Sequence, residues 1–113
     1  MPRRGELAEQ RAAEHLRGAG LRLLERNYRC RQGEIDLIMR DGDTVVFVEV
    51  RERRNGRFGS GADSIDFRKR QRLISAAQHY LQRQPRVPPC RFDVVSIDGN
   101  DDLTWITGAF DAG

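Results

Sequence analysis

Residues 33–54 read GEIDLIMRDGDTVVFVEVRERR. Two strand-like runs flank an Asp41-Gly42 pair, a strong signal for a tight hairpin turn. In the first run Ile35, Leu37 and Met39 face one way, and Glu34, Asp36 and Ile38 face the other. In the second, Val45, Phe47, Glu49 and Arg51 share one face, and Thr44, Val46, Val48 and Val50 take the opposite one. Both faces of the second strand begin apolar. Such a strand is expected at the centre of a sheet covered on both sides. Three acids, Glu34, Asp36 and Glu49, therefore lie within strands that otherwise read as core.

With Asp41-Gly42 as the turn, Arg40 pairs with Asp43, Glu34 faces Glu49 and Asp36 faces Phe47. Asp36 and Glu49 are then diagonal neighbours on one face, about 7–8 Å apart. A three-residue loop would break this parity and separate the acids. Like charges placed opposite each other repel, so a cation is expected beside them: Arg51, Lys69 or a metal ion. Hard divalent cations favour clustered carboxylate oxygens. The pattern alone fits two arrangements equally, a salt-bridge ladder and a metal site.

Outward from the hairpin, residues 5–19 predict a helix, with Leu7, Ala8, Ala12, Ala13, Leu16 and Ala19 at helical spacing and glycines at 18 and 20 to stop it. Glu9 borders that apolar stripe. LRLLERNYRC at 21–30 fits a short strand ending near Asn27–Arg29. The Gly- and Arg-rich stretch at 53–64 reads as a loop. A second helix is expected from Asp66 to Arg83, burying Leu73, Ala76, Ala77, Tyr80 and Leu81, with Lys69 one turn before Leu73 on the inward stripe. QPRVPPC breaks that helix. RFDVVSID and LTWITGAF supply later strands. The order α-β-β-β-α-β, with a further C-terminal strand, predicts one α/β domain over residues 1–113 with a mixed sheet flanked by helices. The helices could share a face or take opposite ones.

Composition narrows the function classes. The chain has 113 residues, 33% of them charged and only 7% aromatic, which suits one domain with a modest core. No run approaches the roughly 18 apolar residues of a membrane span, and MPRRGELAEQ has no signal-peptide core. A cytoplasmic protein without a membrane partner is expected. Cys30 and Cys90 lack zinc-ligand spacing and read as reduced thiols. His15 and His79 read as structural or exposed. All 20 basic residues lie within 1–91, against 12 acids, while residues 92–113 carry five acids and no base. A basic body favours a polyanion such as nucleic acid, although a solvated charged surface reads similarly. Nineteen of the basic residues are Arg, so the single Lys69 is conspicuous.

Gly33-Glu-Ile-Asp36, followed after the hairpin by Phe47-Val-Glu49-Val-Arg51, resembles the bipartite PD-(D/E)XK nuclease motif. Nearly end to end, the chain is similar to the YraN-like uncharacterised family. The similarity runs through GELAEQRAAEHL, the 33–53 hairpin, Phe58-Gly59, DFRKRQRLISAAQHYL and RFDVVSID. That family is placed in the restriction-endonuclease-like superfamily beside archaeal Holliday-junction resolvases. The resemblance implies a restriction-endonuclease-like fold and a Mg²⁺- or Mn²⁺-dependent endonuclease acting on DNA, including branched or Holliday-junction DNA. It implies Asp36 and Glu49 as metal ligands and Glu9 as the assisting first-helix glutamate; Glu34, in the family's GEID signature, is the third candidate metal ligand. Resolvase-like relatives act as dimers, so a homodimer is compatible.

Two departures stand out. Ile35 replaces the motif proline. Arg51 stands where the motif lysine belongs; it can stabilise phosphorane charge but cannot act as a base. Lys69 is the candidate to compensate from the second helix. Arg53, Arg54 and Arg57 of the loop, with Arg68, Arg70 and Arg72 of the helix, are candidate contacts to the nucleic-acid backbone. The competing readings are a nucleic-acid-binding protein on a nuclease fold that does not cut, and a partner-interaction domain whose acids form only salt bridges.

Overall fold

A computed structural model describes residues 4–53 and 65–111, with side chains given for 5–52 and 65–111. Helix α1 spans Arg4–Gly18, β1 Arg22–Cys30, β2 Gly33–Asp41, β3 Thr44–Arg53, α2 Phe67–Leu81, β4 Cys90–Asp98 and β5 Leu103–Phe110. The strands form one sheet in the order β1-β2-β3-β4-β5. Strand β3 runs antiparallel to β2 and parallel to β4, so the sheet is mixed. The predicted element order and the mixed α/β architecture are both present. Strand β1 is longer than the short strand expected, and the chain's last strand, β5, is fully formed.

The two helices lie on opposite faces. Alternation along β3 sends Val45 and Phe47 into one core and Val46 and Val48 into the other. Leu73, Ile74, Ala76 and Ala77 of α2 complete the first core. Ala8, Ala12, Ala13 and Leu16 of α1 complete the second. Small alanines let α1 approach the sheet closely, and Leu16, fully buried, supplies bulk. This explains why both faces of β3 read as apolar: each is removed from water, and burial of such side chains is the main favourable term in folding. Leu7, expected inside, is half exposed, and Ala19 lies past the helix end in solvent.

The hairpin register corrects the sequence reading by one position. Asp41 pairs with Thr44 and Arg40 with Val45, so the turn is Gly42-Asp43 rather than Asp41-Gly42. Gly42 has φ 60°, the positive value that the first central residue of a type II′ turn needs and that glycine adopts without strain. Parity survives the shift. The last pair is Leu37 with Val48, which leaves Asp36 and Glu49 as the next residues on their strands. Glu34 no longer faces Glu49; its partner is Arg29 of β1.

A second irregularity lies at the same place. Ile35 belongs to the α2-side core, whereas Leu37 and Met39 belong to the α1 side, so the predicted common face of these three breaks at Asp36. On β1, Asn27 lies between the pairs Arg26–Leu37 and Tyr28–Ile35 and has φ 52°. Asn is among the few residues that tolerate this left-handed conformation. Face alternation along β2 thus breaks at Asp36, opposite Asn27, and the paired β2–β3 register ends beside it at Leu37–Val48.

Candidate active site

Three elements bring Asp36, Glu49 and Lys69 into one cleft of about 510 Å³, which Arg29, Cys30, Gly33, Glu34 and Arg72 also line. Glu49 is held by the central strand β3 and its side chain is only 6% exposed. Asp36 comes from the point in β2 where face alternation breaks. Its Oδ2 accepts a hydrogen bond from the Val50 backbone N–H at 2.8 Å, so a side-chain oxygen takes the acceptor position where the β2–β3 ladder has stopped. That bond fixes the carboxyl beside Glu49.

Lys69 comes from the first turn of α2. Asp66 caps the helix, its Oδ1 accepting from the Lys69 backbone N–H at 2.8 Å. The cap therefore fixes the backbone of the residue whose Nζ reaches Glu49 Oε2 at 2.6 Å. The contact is an ion pair outside hydrogen-bond alignment. Helix α2 is seated closely on β2 at Gly33: a Cβ there would lie 3.0 Å from the Arg72 carbonyl oxygen. Glycine at 33 is what lets Lys69 and Arg72 overhang the carboxylates.

The electrostatics are those of two acids forced together. Burial is the largest influence on Asp36, followed by its hydrogen bond with Glu49 and the charge of Glu49; together they push its pKa up to about 9. Asp36 therefore holds a proton at neutral pH, placed where it can be shared with Glu49. The hydrogen bond from the Val50 N–H opposes this rise only in part. A carboxyl with a raised pKa thus lies in a cleft beside a second carboxylate and an ammonium.

Other predicted residues lie elsewhere. Glu9 lines a neighbouring cleft with Gly5, Glu6, Asn27 and Arg29. Its Oε1 is buried without a hydrogen-bond partner, and burial raises its pKa, opposed by a hydrogen bond from Asn27. Its charge still acts on Asp36, but it does not line the Asp36–Glu49 cleft. Arg51 is partly buried on β3 beside Ser96 and does not line the cleft either. Glu34 lines it from the rim, paired with Arg29 Nε at 3.2 Å and 62% exposed. Arg68 is exposed on α2. Arg70 is turned inward, its Nε donating to the Ile65 carbonyl at 3.0 Å and its guanidinium lying 5.6 Å from the Phe110 ring centre. The Arg53 side chain, and Arg54 and Arg57 entirely, lie outside the described residues, as does Phe58-Gly59.

Sequence reasoning missed Arg29 and Cys30. Their proximity to Asp36 follows from the β1–β2 pairing, and LRLLERNYRC has no clean alternation to reveal it. Among the described residues no group of three His, Cys, Asp or Glu side chains is arranged to hold a metal. A Mg²⁺ or Mn²⁺ ion would have to be carried by Asp36 and Glu49 with water, backbone or substrate oxygens. Two carboxylates completed in this way are a usual Mg²⁺ arrangement, and the positive charge of an ion would offset the crowding that raises the Asp36 pKa.

The model of the uncharacterised protein family UPF0102 matches residues 8–97. A UPF0102 protein of Pseudomonas fluorescens is 59% identical over 111 residues, covering 96% of this chain and 92% of that one. One from Nitrosococcus oceani is 56% identical over 112 residues, with coverage of 95% and 90%. One from Nitrosomonas eutropha is 56% identical over 110 residues, with coverage of 97% and 95%.

Proposed function

The chain belongs to the UPF0102 family, and we propose that it is a divalent-metal-dependent endonuclease acting on DNA, with branched or Holliday-junction DNA among its candidate substrates. The observation that carries this reading is the convergence of Asp36, Glu49 and Lys69 in one cleft from three separate elements. The resemblance to the PD-(D/E)XK motif supports it, since two of these residues match that motif's acids.

Asp36 and Glu49 would hold the ion. When bound, it supplies Lewis-acid polarisation of a phosphate oxygen and a lowered pKa for water. The remaining work belongs to the chain. Val50 N–H keeps the Asp36 carboxyl oriented. Lys69, on a capped helix, offers a mobile ammonium that can leave Glu49 for a phosphate oxygen and neutralise charge in the transition state. It thereby fills the position that Arg51, lying outside the cleft, leaves open. No described helix is long and apolar enough to cross a membrane.

The absence of a motif lysine on β3 favours one rival, a nucleic-acid-binding protein on the same fold. The two separate in a cleavage assay using labelled single strands, duplexes, flaps and four-way junctions with EDTA, Mg²⁺ or Mn²⁺. The nuclease reading expects metal-dependent cleavage that Asp36→Ala and Glu49→Ala abolish. Binding without cleavage under every metal condition would contradict it and favour the rival.

A further inference from the structure

Among the described residues, Arg29 is the one that lines both the carboxylate cleft and the neighbouring Glu9 cleft. It stands on β1, largely exposed, and Arg72 of α2 lines the same carboxylate cleft. Arg72 is exposed and has no ion pair with a described residue. Its backbone is fixed by the close seat of α2 on Gly33. Arg29, by contrast, is engaged: its Nε lies 3.2 Å from Glu34 Oε2, and the two are direct cross-strand partners. Both side chains are mostly in solvent, at 74% and 62% exposure.

An ion pair in that setting is weak, because water screens it and two long side chains lose freedom to form it. A guanidinium so held exchanges readily onto a phosphate, which it can bind through two parallel hydrogen bonds. Glu34 then has a role different from that of Asp36 and Glu49. It lies at the rim, is paired with Arg29 rather than Glu49, and presents an anionic group where a phosphate would sit.

Resting on the nuclease reading of the cleft, we propose that Arg29 and Arg72 form a two-armed clamp for DNA phosphates flanking the cleavage position, and that Glu34 occupies the Arg29 arm until DNA displaces it. Glu34 is thus a competing counter-ion and no metal ligand. The metal-ligand reading and this one give opposite signs. Removing a ligand weakens metal-dependent binding; removing a competitor strengthens DNA binding.

The test measures the affinity of short fluorescein-labelled DNA by anisotropy in EDTA, where cleavage cannot occur. Arg29→Ala and Arg72→Ala should each weaken binding about fivefold and flatten its salt dependence, as loss of one phosphate contact does. Glu34→Gln should tighten it about threefold. In an Arg29→Ala background the Glu34→Gln gain should vanish, because its mechanism is release of Arg29. Glu14→Gln, on the exposed face of α1, controls for the simple loss of a negative charge. Unchanged affinity in Arg29→Ala overturns the clamp. So does a Glu34→Gln gain that persists without Arg29, or one that Glu14→Gln matches. If the unsubstituted protein gives this binding pattern but never cleaves with Mg²⁺ or Mn²⁺, the nuclease reading fails and the clamp stands as a binding device. If it cleaves and the pattern is absent, the clamp alone fails.

Discussion

Asp36, one residue past the last β2–β3 pair, holds its carboxyl in hydrogen-bond contact with Glu49 and anchored on the Val50 N–H at 2.8 Å. The strand pairing that would normally be completed by backbone is completed by an acid. Burial and the Glu49 charge then hold that acid protonated. The hairpin carries an electrostatic fault at its most constrained position, and a divalent ion is the species that would relieve it.

The fault should appear as pH-dependent stability. The Asp36 carboxyl ionises near 3.8 in the unfolded chain and near 9 in the fold. Between those values the unfolded chain binds fewer protons, so stability is greatest at the acid end and falls as pH rises through the window. Asp36→Asn keeps an acceptor for the Val50 N–H and removes the titration. In EDTA, it should be more stable than the unsubstituted protein by about 1–2 kcal/mol at the alkaline end of the window. Urea midpoints across pH check this; parallel pH profiles for the two proteins would contradict it.

Lys69 should matter for the reaction more than for the ion. Lys69→Met removes the ammonium that meets Glu49 Oε2 at 2.6 Å and keeps the stem's bulk. Cleavage should fall about a hundredfold or more, as when one group that stabilises transition-state charge is lost. Ion affinity should hold or rise, since a competing cation has gone. Single-turnover rates and Mn²⁺ titration separate the two effects. Equal loss of both would make Lys69 a structural support.

Gly33→Ala tests whether the seat of α2 sets the site. The added Cβ would meet the Arg72 carbonyl oxygen at 3.0 Å, and that contact is backbone, so the helix must shift. A cost of about 1–3 kcal/mol in stability is expected. DNA affinity should drop as well, because Lys69 and Arg72 move together. Loss of stability with DNA affinity intact would show that the seat is structural only.

Much of the fold is legible because the residues leave few options. Val45 to Val48 are apolar on both faces, which places β3 centrally under cover on both sides; that α1 and α2 take opposite faces, left open by the spacing, comes from the two cores they complete. The acids of β2 and β3 are legible for a similar reason: polar residues in a buried strand need an explanation. The details that escaped depend on backbone that sequence spacing does not encode. Asp-Gly and Gly-Asp turns both satisfy DGD, and φ 60° at Gly42 selects the second. Periodicity assumes unbroken alternation, whereas the break at Asp36, opposite Asn27, sends Ile35 to the α2 side. Arg70 falls in a basic run that reads as solvent-facing, yet it packs on Ile65 and Phe110. Arg29 entered the site only through β1–β2 pairing, a relation between distant positions.

The most direct test of the central claim is a calorimetric titration of the DNA-free protein with Mn²⁺ at several pH values, in buffers of different ionisation heat. If Asp36 and Glu49 form an ion site with Asp36 protonated beforehand, binding must release a proton. Affinity should then rise about tenfold per pH unit below the Asp36 value of about 9. The heat should depend on the buffer, and both signals should disappear in Glu49→Ala. Binding that is independent of pH, or unchanged in Glu49→Ala, would place any ion elsewhere and return the two acids to a structural role.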